Sequence, residues 1–63
     1  MKDTARIAAL ARSYAYLEQA YMETGDQQYR DAYIETWAAA MKITTSIEFM
    51  EAVNEAKKDI RKG

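Results

Sequence analysis

Apolar residues recur three and four positions apart along almost the whole chain. Ile7, Leu10, Tyr14, Leu17 and Tyr21 form the first such line, the spacing of a helical seam, and predict a helix over about 4–24. Ala8, Ala11, Ala15 and Met22 widen its stripe, and the alanines allow another helix to approach closely. Arg12, Tyr16, Gln19 and Glu23 take the opposite face. The stretch from Tyr29 to Ile43 is broader still. Tyr29, Ala32, Tyr33, Thr36, Trp37, Ala39, Ala40, Met41 and Ile43 share one side, and Ile34 extends it to an arc of roughly 220°. A surface helix needs only ~100° of apolar stripe, so this second helix is expected to be covered from two directions. A third line, Phe49, Val53, Ala56 and Ile60, with Ile47 and Met50 on its flanks, predicts a helix over about 46–62.

The punctuation between these lines sets the topology. Asp3 and Thr4 are candidate N-caps for the first helix. Gly25 suits the left-handed position that ends it, and Asp26 comes directly after as a cap for the next. So short a connection makes the two helices antiparallel neighbours. The second boundary rests on Ile43-Thr44-Thr45-Ser46, whose hydroxyl residues favour caps over helix interior. Thr45 with Glu48 fits a capping box. The expected fold is an all-α three-helix bundle, with helices at about 4–24, 27–42 and 46–62 in a single domain over 1–63. The alternative is one long, bent helix over 27–62 that pairs across a dimer. Burial of Ile34 and Met41 decides between a closed bundle and an assembly.

Composition sharpens that choice. A chain of 63 residues is one domain at most, and its single core is marginal. Cys and His are both absent, which removes disulfides and the common zinc frameworks. Close helix packing, self-association or a partner protein remain as sources of stability. Nine basic residues against ten acidic ones leave no basic footprint for nucleic acid. No apolar run approaches the ~20 residues of a membrane span. The N-terminal MKDTARIAALARSYA reads as a helix start and not as a signal peptide, so a cytoplasmic protein is expected.

Residues 14–40 resemble one tetratricopeptide-repeat unit. The resemblance rests on Leu17, Tyr21, Gly25-Asp26, Ala32 and Ala39, with Tyr14 where that family usually has an aromatic residue. Gln27 and Gln28 are extra residues in the turn, Glu18 stands where the family has a small residue, and no proline closes the unit. The resemblance implies a helical hairpin and a peptide-binding role, although solenoids of this kind need about three repeats for stability.

Catalysis would have to use carboxylates, Lys, Tyr or hydroxyls. The metal bundles built on Glu-x-x-His lack their His here, and a chain this small leaves little room for a pocket. No enzyme activity, catalytic residue, metal or cofactor is expected. Glu51, Glu55 and Asp59 continue an acidic line from Glu48, which is either a solvated face or a surface for a basic partner. Lys58 and Lys62 are placed to pair with Glu55 and Asp59. Tyr16 beside Arg12 has the composition of a binding hot spot. Tyr14, Tyr21, Tyr29 and Tyr33 are expected in the core, with hydroxyls at its rim. Glu18 falls inside the apolar arc of the first helix, where an unpaired buried carboxylate is costly; it either meets Arg30 or a tyrosine hydroxyl across the hairpin or lies at an edge where the arc is wet. Ile34, Trp37 and Met41 form the expected self-association surface. The expected function is docking on another protein as a homodimer, of the inhibitor or adaptor type found among small bacterial and phage proteins. The competing reading is nucleic-acid or anionic-surface binding through the basic C-terminus, Lys57 to Lys62.

Overall fold

The computed structural model describes residues 3–62 and contains three helices: α1 (Thr4–Thr24), α2 (Gln27–Ala40) and α3 (Ser46–Lys62). It is a small all-α three-helix bundle, as the periodicity implies. Asp3 holds the N-cap position of α1 without a side-chain cap bond; its carbonyl accepts from the Ile7 N–H at 3.0 Å. Gly25 takes φ 71 and donates its N–H to the Tyr21 carbonyl at 2.7 Å. The Asp26 carboxylate then accepts from the Gln28 N–H at 2.9 Å. One left-handed residue and one cap therefore reverse the chain within two residues.

The second reversal works differently. α2 stops at Ala40, two residues before the expected end, because its last turn tightens. Lys42 N–H donates to Ala39 O at 3.3 Å, and Ala40 O accepts from both Ile43 and Thr44, at 3.0 and 2.9 Å. No residue here has positive φ. Thr45 Oγ1 accepts from the Glu48 N–H at 3.2 Å, which is the threonine half of the expected capping box and starts α3.

The helix with partners on two sides is α1, not α2. α1 packs extensively against both others, whereas α2 and α3 meet only sparsely. α1 manages this with two adjacent stripes. Tyr14 and Tyr21 face α2, each edge-on to Tyr33 at 5.2 and 6.0 Å between centroids. Ile7, Ala11 and Ala15 are buried with Phe49 and Val53 of α3 and Ala40 of α2. The small alanines let α3 come close enough for Phe49 and Val53 to lose all exposure; each contributes roughly 1.5–3 kcal/mol by burial. Tyr14 joins the two docks: its ring lies 5.9 Å from Trp37 and 5.6 Å from Phe49, and those two are 5.4 Å apart. The result is flat, 38 × 26 × 16 Å, little more than one helix diameter thick.

Candidate docking surfaces

The proposed self-association residues separate. Trp37 and Met41 are half-buried against the core, so packing within the chain already uses them. Ile34 alone stays open, at 45% exposure. Its flank of α2 faces neither α1 nor α3. Tyr29 is also exposed, contrary to its expected place in the core, because α3 does not reach that side of α2.

Arg12 and Tyr16 lie exposed on the outer face of α1. Between that face and α3 runs a shallow groove of about 410 Å³, lined by Ala15, Glu18, Gln19, Met22, Glu23 and Lys57. Glu18 pairs there with Lys57 of α3, not with Arg30 or a tyrosine. The reason is angular: Glu18 continues Ala11 and Ala15 on the stripe that faces α3. Burial pushes the Tyr14 phenol above its ordinary value, and the nearby Glu18 charge and Tyr33 push it the same way. Met22 extends that stripe past the ion pair and remains open.

Glu51 and Glu55 line a second open groove, of about 570 Å³, with Thr4, Ile7, Glu48, Ala52, Asn54 and Lys58. Lys58 pairs with Glu55 at 3.5 Å, the expected three-residue pairing. Asp59 is exposed on α3 outside this groove, and Arg12 and Tyr16 line neither groove, so the structure does not gather the proposed partner-binding residues into one site. The side chain of Lys62, the expected partner of Asp59, lies outside the described residues, as does that of Arg61. Lys57 and Lys58 are both turned to carboxylates, which weakens the basic C-terminus as an anion-binding patch. No three metal-ligating side chains converge among the described residues, and no described helix is long and apolar enough to cross a membrane.

Of the exposed apolar residues that the sequence did not single out as docking candidates, two flank the second turn. Ile47 is 72% exposed and Ile43 is 37% exposed, one on each side of the second turn. The signal for Ile47 is present: at 100° per residue it lies about 160° from Phe49 on α3. Compared with known protein families, curated proteins and solved structures, the chain matches none. The hairpin implied by the tetratricopeptide resemblance is present in α1 and α2.

Proposed function

We propose that this chain is a non-enzymatic docking module of inhibitor or adaptor type, which associates with itself and binds another protein in the cytoplasm. The observation that carries the reading is an imbalance in the described residues. Six apolar residues are buried, three of them alanines, while Tyr16, Met22, Tyr29, Ile34, Ile43 and Ile47 are exposed. The chain exposes 4666 Å², against roughly 4,100 Å² for a compact protein of its mass. Single exposed apolar side chains are ordinary; three of these six lie on one helix and the turn after it, Tyr29, Ile34 and Ile43.

The test uses Ile34→Ser. Ile34 supports no core contact, so the thermal midpoint should hold while capture of the partner from the native host falls several-fold. Capture equal to that of the wild type would count against this surface. Nucleic-acid binding is addressed by retention on a filter at low salt, where the paired state of Lys57 and Lys58 leads us to expect none.

A further inference from the structure

We infer that self-association proceeds by exchange of α3: the second turn opens into continuous helix, and α3 docks on α1 of a second copy. This rests on the proposed self-association and specifies how it occurs.

The turn itself is built for such an opening. Through Thr44 the backbone keeps helical or tightened-helical hydrogen bonds, and nothing between Met41 and Thr45 adopts a left-handed conformation. The turn can therefore straighten through small changes in backbone angle, whereas the first turn could do so only if Gly25, at φ 71, crossed to negative φ. The Thr44 hydroxyl oxygen is buried without a hydrogen-bond partner. Thr24 and Thr36, within regular helix, donate to the carbonyls of Ala20 and Ala32, four residues earlier. A straightened turn offers Thr44 the same bond to Ala40.

The exposed residues point the same way. In continuous helix Ile43 and Ile47 fall within about 40° of each other, with Met50 about 20° to the other side of Ile43. Residues now left on opposite sides of a bend become one apolar seam, which two copies can bury against each other. Phe49 and Val53 come sixteen residues after Tyr33 and Trp37 respectively, so their faces are turned about 160° apart in such a helix. One α1 cannot meet both. The Phe49–Val53 face must then dock on the Ala11–Ala15 stripe of the second copy, which recovers every contact between α1 and α3, including the Glu18–Lys57 pair. The contacts between α2 and α3 that must open are few, chiefly Phe49 on Trp37 and beside Ala40. Exchange of one element through a hinge is a low-cost route to dimers, and here Ile43, Ile47 and Met50 supply the new interface.

Equal amounts of isotope-labelled and unlabelled full chain, unfolded together and refolded at millimolar concentration, give the test. We expect a dimer by sedimentation, with isotope-filtered contacts between the Phe49 ring of one chain and the Ala11 and Ala15 methyls of the other. A dimer that shows these contacts only within one chain overturns the exchange but leaves self-association standing. A monomer at every concentration overturns both. Hinge variants are a second arm. Thr45→Ala removes the α3 cap and favours continuous helix while leaving the Thr44 hydroxyl in place, and should tighten the dimer roughly fivefold. Insertion of Gly-Ser-Gly-Ser after Thr44 should shift the chain to monomer with its helix content retained. Dimer affinity unmoved by both variants also overturns the exchange.

Discussion

The first turn is fixed by its own residues, whereas the second depends on the docking of α3. At Gly25-Asp26 a left-handed glycine and a side-chain cap complete the reversal, whatever α1 and α2 do beyond it. Between Met41 and Thr45 the backbone tightens and Thr45 caps α3, but no left-handed residue turns the chain there, and the bend is anchored where Phe49 and Val53 find the alanine stripe of α1. Local chemistry gives a turn with one geometry. A bend held from a distance is only as stable as its anchor, and it leaves its flanking isoleucines without cover.

The largest test of that contrast removes the anchor. Phe49→Ala should cost about 3–5 kcal/mol, most of the stability available to a domain of this size, roughly 3–9 kcal/mol. Urea unfolding followed by helicity and by Trp37 fluorescence measures it. If the loss stayed below ~1 kcal/mol, the second bend would have to be held by something other than α3 docking.

A smaller effect is expected at the first turn. Around Gly25 an added Cβ meets nothing within 4 Å, so Gly25→Ala carries only the conformational cost of positive φ, about 1–2 kcal/mol. Loss of the Asp26 cap in Asp26→Ala should cost about 1 kcal/mol. Both changes should leave the helices in place. A Gly25→Ala midpoint equal to that of the wild type would mean that the first turn is not set by its glycine.

The same contrast explains what could be read from the chain alone. Gly25, Asp26 and the threonines near 44–45 state their local preferences directly, and the three helices fall where those residues place them, apart from the last two residues of α2. Which helix sits in the middle was not legible. The arc over Tyr29–Ile43 is wide in angle, but α3 meets it only sparsely, around Trp37 and Ala40. The narrower-looking α1 is central because Ala11 and Ala15 yield space, and a helical wheel counts apolar identity, not depth of approach. The partner of Glu18 was missed for the same reason: the first hairpin offered Arg30, whereas the alanine stripe turns Glu18 toward Lys57. No residue carries a label for a docking surface, since a surface consists of whatever packing leaves over.

Tyr14 allows the two docks to be probed together, because its ring touches Tyr33 and Trp37 of α2 and Phe49 of α3. Burial raises its pKa above the ordinary tyrosine value of 10.0, helped by Glu18 and Tyr33. The neutral phenol is thus favoured in the folded chain. Its contribution is fully present below the unfolded value and is lost as pH rises through the higher folded one, since the phenolate must then be accommodated between the helices. Thermal midpoints should therefore fall above about pH 10. Tyr14→Phe keeps the ring packing and removes the titrating group, so its midpoint should match the wild type near neutrality and decline less steeply on the alkaline side. Parallel alkaline slopes in the two proteins would show that ionisation of this phenol does not disturb the junction. A large loss already at neutral pH would instead place a hydroxyl interaction at the point where α2 and α3 meet.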